Sequence, residues 1–238
     1  MVTEGKSDWK HLKAAQLALS ESDDFKTLFE HDFEILEYDD LKMGGNKLAS
    51  ICRSFSQLPQ SRPIIFIADS DNNGVNNQLQ ADDGSRFKNH GNGVYSLTLP
   101  TPPFRDETQG ICIEEMYPDE IIQTEIDCRD GIKRRLYLTD EFDEYGRARE
   151  LNLFCPQIGA KNNGTKGSRV IDSGSYLIVN ANSSDGDKNL ALSKDNFARY
   201  MLENALSFHD GRFEPFGKVF ESIQSAISDW HDTSSTQS

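Results

Sequence analysis

Apolar residues along the first half of the chain recur in two periods, and the switches between them mark out its elements. Trp9, Leu12, Ala15, Gln16 and Leu19 stand at helical spacing over residues 8–19, with Ser7 or Asp8 placed to cap the start. Residues 33–38 alternate roughly as a strand does. Leu48, Ile51, Cys52, Phe55 and Leu58 give a second amphipathic helix, opened by the Gly44-Gly45-Asn46 turn and closed before Pro59. Residues 63–68 (Pro-Ile-Ile-Phe-Ile-Ala) form a near-continuous apolar run of β-branched and aromatic type, the pattern of a strand buried on both faces of a parallel sheet. It runs into the acidic turn Asp69-Ser70-Asp71-Asn72-Asn73-Gly74. Residues 94–99 read as another strand, stopped by Pro100, Pro102 and Pro103. Residues 111–114 read as a short apolar strand, and Pro118 opens a helix through Ile122.

This alternation predicts an α/β fold, a parallel sheet flanked by helices on both faces. The rhythm breaks over residues 124–192, which read as irregular strands and Gly/Asn-rich loops, including Leu136-Tyr137-Leu138 and Tyr176-Leu177-Ile178-Val179. Two helices follow, about 194–206 and 213–230, then a Ser/Thr-rich tail expected to be disordered. The expected organisation is a core over 1–123, an insertion over 124–192, helices completing the core over 193–232, and a tail over 233–238.

Composition narrows the class. No run of 18 apolar residues exists and residues 1–6 are too polar for a signal peptide, so a cytoplasmic protein without membrane contact is expected. The four cysteines lack any C-x-x-C pair, which argues for reduced thiols over zinc or disulfides. The net charge of −14 speaks against nucleic acid at first sight. Yet residues 131–170 hold eight Lys/Arg (Lys133, Arg134, Arg135, Arg147, Arg149, Lys161, Lys166, Arg169) against five acids. An acidic body with one basic stretch suits a metal–carboxylate site beside a phosphate-contacting surface; an ordinary mixed-charge surface is the alternative.

Candidate chemistry sits at the ends of predicted elements: Glu4 and Asp8 around Gly5-Lys6-Ser7, Asp69 and Asp71 after the most apolar strand, Glu114 after another, and Lys194 at a helix start. In an open parallel sheet, ligands gather outside the carboxyl ends of the strands, so these distant segments can meet at one edge. Carboxylates gathered there repel one another, and a divalent cation relieves the repulsion; oxygen-only ligands favour Mg²⁺ or Mn²⁺, one or two ions. Asp69 is the hardest to explain otherwise, because a charge closing a buried strand is costly without a partner. Asp8 as a helix cap and Lys194 as a surface residue are the plainer alternatives.

Val2-Thr3-Glu4-Gly5-x-Ser7-Asp8 resembles the first motif of the TOPRIM domain, and Phe66-Ile67-Ala68-Asp69-Ser70-Asp71 its D-x-D motif. Cys112-Ile113-Glu114, and Lys194 before Phe197-Ala198, resemble later motifs of the OLD-family (overcoming lysogenization defect) nuclease branch. The resemblance implies a Mg²⁺- or Mn²⁺-dependent nuclease acting on DNA, in bacterial anti-phage defence, with Glu4, Asp8, Asp69, Asp71 and Glu114 as metal ligands. It gives Lys194 the stabilisation of charge at the scissile phosphate, and Glu4 a metal-binding or a general acid–base role. Relatives of that branch carry an ATPase region; Gly164-Thr165-Lys166-Gly167-Ser168 lacks P-loop spacing, so the expected partner is a tethered or separate ATPase, besides DNA and further copies of the chain. Only Met1 and Val2 precede Glu4, fewer apolar residues than the family's first strand carries. The alternatives are a non-catalytic TOPRIM module that binds or regulates, and a nuclease that processes RNA.

Overall fold

Two-residue and five-residue strands make up one open sheet: β1 (Val2–Thr3), β2 (Ile64–Ala68), β3 (Lys88–Asn89) and β4 (Val94–Thr98), in the order β1-β2-β4-β3. The structure, a computed structural model, describes residues 1–39, 43–160, 169–182 and 188–235. β1, β2 and β4 run parallel, with Thr3 opposite Ile67 and Ala68 opposite Thr98; β3 turns back antiparallel against β4. Helices α1 (Asp8–Ser20), α2 (Gly45–Phe55), α3 (Asn73–Leu79), α4 (Asp119–Ile122), α5 (Pro156–Ala160), α6 (Lys194–Glu203) and α7 (Gly217–Ser235) follow in chain order.

Strand periodicity decides which helix covers which face. Phe66, Ala68 and Val94 point to one side, where Leu48, Ala49 and Cys52 of α2 and Val75 and Leu79 of α3 close the core. Tyr95 points to the other side, where its hydroxyl donates to Asp229 Oδ2 of α7 (2.9 Å). β2 is buried by both layers and paired on both edges, which is why its sequence is apolar without alternation. The protein is therefore mixed α/β, an open and mostly parallel sheet flanked by helices.

Two expected strands do not form. Residues 33–38 run beside the outer edge of the sheet but only Met1 is there to pair with: Leu36 N donates to Met1 O (2.9 Å) and the Met1 amino group to Glu34 O (2.5 Å). Residues 111–114 give way to a 3-10 turn over Ile113–Met116, because Ser70 takes both the carbonyl and the N–H of Ile111, the latter through its side chain, and the ladder stops there. The last helix runs on to Ser235, past the expected start of the tail at 233; residues 236–238, like Lys161, Lys166 and the 164–168 segment, lie outside the described residues. No helix among the described residues is long and apolar enough to cross a membrane.

The chain divides into two compact units, Met1–Met116 with Met201–Ser238, and Tyr117–Tyr200. The second begins and ends outside residues 124–192, since α4 is tied to it by Arg169, which clasps Asp119 (3.0 and 2.6 Å), and the Tyr117 and Phe197 rings meet edge-on. Within it, three antiparallel pairs join β5 (Ile126–Asp127) to β6 (Lys133–Arg134), β7 (Tyr137–Leu138) to β9 (Val170–Ile171), and β8 (Leu153–Phe154) to β10 (Val179–Asn180). Their core is small, built on Tyr137, Phe142, Leu153, Cys155, Ile171 and Ile178.

So small a core leans on an ion pair. Arg135 holds Glu141 through two bonds (3.0 and 2.6 Å), stacks 3.8 Å above the Tyr137 ring, and Leu138 N donates to the same carboxylate (2.7 Å). Burial opposes ionisation of Glu141, but Arg135 and the Leu138 N–H outweigh it and hold the carboxyl below the usual range. Glu141→Ala leaves the guanidinium unpaired and is expected to destabilise this unit by about 3 kcal/mol in urea denaturation. In the wild type that contribution is present above the ordinary glutamate pKa and fades as pH falls through the depressed one.

Candidate functional site at the strand tips

Because β1 and β2 are parallel and in register, their carboxyl ends face the same way, and Glu4 and Asp69 are the residues that follow them. The Glu4 carboxylate is turned inward. The backbone N–H groups of Gly45 and Asp69 address it, and the Asp71 charge bears on it. Burial first, then Asp71, raise its pKa above the usual value, against the pull of the two N–H groups. Its Oε2 is buried and has no hydrogen-bond partner. Gly45 permits the approach: a Cβ there would stand 2.5 Å from Val75 Cγ2 and 2.9 Å from Glu4 Oε1.

The Asp69–Asp71 turn is fixed through the residue between the two acids. Ser70 N donates to Ile111 O (2.9 Å), Ile111 N to Ser70 Oγ (3.0 Å), and Asn76 Nδ2 to Ser70 O (2.6 Å). Asn72 then caps α3, its Oδ1 accepting from Gly74 N (3.0 Å) and Val75 N (3.4 Å). Gly110 presses on the turn from outside, and a Cβ on it would lie 2.0 Å from Ser70 O. Ser70, Asn76 and Gly110 escape a sequence reading. Only Asn72 carried a signal, a capping side chain ahead of Asn73-Gly74.

The other candidates fall differently. Asp8 is buried, and its Oδ2 accepts from Gly5 N (2.6 Å), closing the turn ahead of α1; Ser7 is the residue at the helix cap, where its Oγ makes no capping bond and instead donates to Asp8 Oδ1 (3.3 Å). Burial first, and then the charges of Asp8 and Glu4, raise the pKa of Tyr38 against a hydrogen bond with Thr3. Tyr38 in turn donates to Thr3 O (2.8 Å) at the end of β1. Glu114 is 1% exposed, in the turn that Ser70 and Ile111 dock against the acidic loop. Lys194 belongs to the second unit, where its N–H donates to Asp172 Oδ1 (3.2 Å).

Three arginines of the basic stretch are put to structural use. Arg134 clasps Asp130 (2.8 and 2.7 Å), Arg135 holds Glu141, and Arg169 holds Asp119 and Asp140. These three arginines are forked onto carboxylates, while Lys133, Arg147 and Arg149 of the same stretch are exposed and Lys161 and Lys166 lie outside the described residues.

Among the described residues no three His, Cys, Asp or Glu side chains are drawn into a cage around an ion as they stand. The strand-tip edge nonetheless fits a hard divalent cation on two grounds. Its donors are carboxylate oxygens, and Glu4 offers a buried oxygen without a partner, in a carboxyl that Asp71 discourages from ionising. Without metal, the folded chain holds the Glu4 proton more tightly than the unfolded chain does, so stability falls as pH rises from the ordinary glutamate pKa through the raised one. Glu4→Gln removes that dependence. It is expected to raise the Tm in EDTA at pH 8 and to lose this advantage at pH 4, in thermal melts run side by side.

The fold and this edge define an α/β protein with acidic residues gathered at the carboxyl ends of adjacent parallel strands. Comparison of the chain with protein-family models, with curated proteins and with solved structures finds no match in any of the three.

Proposed function

We propose that the protein is a TOPRIM-like nuclease of the OLD branch, hydrolysing DNA phosphodiester bonds with Mg²⁺ or Mn²⁺. One observation carries the reading: Glu4, beside the Asp69 N–H and within the field of Asp71, lies where the carboxyl ends of β1 and β2 open together. Segments more than sixty residues apart in sequence come together there, which supports this reading.

Glu4, Asp69 and Asp71 would hold the cation, with Asp8 and Glu114 joining the set through the resemblance. Bound there, the cation supplies polarisation of the scissile phosphate and a lowered pKa for the attacking water. Ser70 keeps the two aspartates in place by anchoring the backbone between them. Glu4, whose buried carboxyl has a raised proton affinity, is suited to take a proton from water or give one to the leaving oxygen. Lys194 enters through the resemblance alone, as does an ATPase partner and a place in anti-phage defence.

The test is cleavage of plasmid and linear DNA with Mg²⁺ or Mn²⁺ by wild type and Asp69→Ala, with an RNA of the same sequence as a parallel substrate. Loss of cleavage in the variant supports the reading; equal cleavage by both removes it. The internal clasping of Arg134, Arg135 and Arg169 favours a second reading, a module of the same fold that binds or regulates without cutting. Calorimetry with Mg²⁺ and Mn²⁺ separates the two, since the nuclease requires heat of binding that Asp69→Ala abolishes.

A further inference from the structure

A pocket of about 430 Å³ opens at the carboxyl end of β4, and Ser70, the anchor of the acidic turn, forms part of its wall. The wall thus includes the residue that stands between Asp69 and Asp71 in the chain. Its size is at the small end of the range for organic ligands, the class of a single nucleoside.

The lining has an unusual chemistry for a site beside so many acids. Four carboxamides line it, Asn73, Asn76, Gln80 and Gln109, and a carboxamide side chain carries both donors and an acceptor. Asn76 has its orientation decided: Nδ2 donates to Ser70 O, which can only accept, and Oδ1 is left without a donor. Arg86 is the one base in the lining and is already paired with Glu221 (2.9 Å), so the pocket does not suit a bare phosphate. Phe87 adds an aromatic ring, braced edge-on by Tyr95 at 5.6 Å. Carboxamides that read donor–acceptor edges, beside an aromatic ring, suit a nucleobase.

We infer that this pocket receives the base of the nucleotide next to the scissile phosphate. The inference rests on the nuclease reading and adds a substrate class to it. A base inside a duplex cannot enter a side pocket without leaving its stack, so the substrate is a strand end, a single strand or a flipped-out nucleotide.

The experiment uses the full chain, ¹⁵N-labelled, in EDTA, titrated with the four deoxynucleoside 5′-monophosphates and with deoxyribose 5-phosphate as the base-free probe. The side-chain amide signals of Gln80 and Gln109 are expected to shift with the nucleotides and not with the sugar phosphate. Both residues are exposed, so the Gln80→Ala/Gln109→Ala variant should fold, and it is expected to bind the nucleotides about ten-fold more weakly. Equal binding of the sugar phosphate, or unchanged binding by the double variant, overturns the inference. Base-dependent binding without metal-dependent cleavage would leave the pocket standing and remove the nuclease; cleavage without base-dependent binding would do the reverse.

Discussion

Asp69→Ala is expected to lower metal-dependent DNA cleavage by about three orders of magnitude while the protein stays folded. A cation on a phosphate is worth several kcal/mol of transition-state charge stabilisation, and about 4 kcal/mol corresponds to that factor. Asp69 is the residue that leaves β2, buried from Ile65 to Ala68, and its own N–H addresses Glu4, so its carboxylate and that of Glu4 start from adjoining positions on the strand-tip edge. Folding should survive because the turn is tied down by Ser70, Asn72 and Asn76. Circular dichroism in EDTA checks the fold, and a cleavage time course with Mn²⁺ checks the rate. A variant that cuts within a few-fold of wild type would show that the acids at this edge do not carry the chemistry.

Gly110→Ala should produce the largest loss of stability of any glycine-to-alanine change at the site. A Cβ at 110 would fall 2.0 Å from Ser70 O, 2.5 Å from Ser70 C and 2.6 Å from Asp71 Cα, all backbone atoms. None of them can swing aside as a side chain would, because Ser70 is bonded to Ile111 and Asn76. Overpacking costs about 1–3 kcal/mol, and a backbone clash belongs at the upper end, about 3 kcal/mol. For a chain of this length that is a fall in Tm of about 6–12 °C. Gly84→Ala is the comparison: φ is +76° there and nothing lies within 4 Å, so only the left-handed backbone is strained, for about 1–2 kcal/mol. The turn carrying Asp69 and Asp71 must shift in Gly110→Ala, so its metal-dependent cleavage should fall as well, whereas Gly84→Ala should keep it. Similar melts for the two variants would mean that the 110–111 segment moves freely, and the account of a locked acidic turn would fail.

The elements that local pattern describes well are those whose faces differ. α2 presents Leu48, Ala49 and Cys52 inward at helical spacing, and β2 is apolar throughout, so both read directly from the chain. The stretch at 33–38 also alternates, but a strand needs a partner, and β1 beside it is two residues long. The Ile111–Glu114 stretch is apolar for another reason: it is buried against the acidic turn by bonds to a residue 41 positions away. For three arginines of the basic stretch, too, the fold adds what the pattern lacks. Charge along the chain is visible, but the pairing of Arg135 with Glu141 or of Arg169 with Asp119 is a property of the folded unit.

On its own, the amino-acid order determined the α/β class, the strand that forms the middle of the sheet, and the acids at the ends of β1 and β2, because burial imprints a period on a segment and strand ends bear turn chemistry. Only the tertiary structure decided that Glu4 faces Asp69 and Asp71, that Ser70, Asn76 and Gly110 hold the turn rigid, and that a carboxamide-lined pocket adjoins it. Those are contacts between segments far apart in the chain, made by backbone groups and small side chains that every residue type nearby could have supplied, so no local pattern records them.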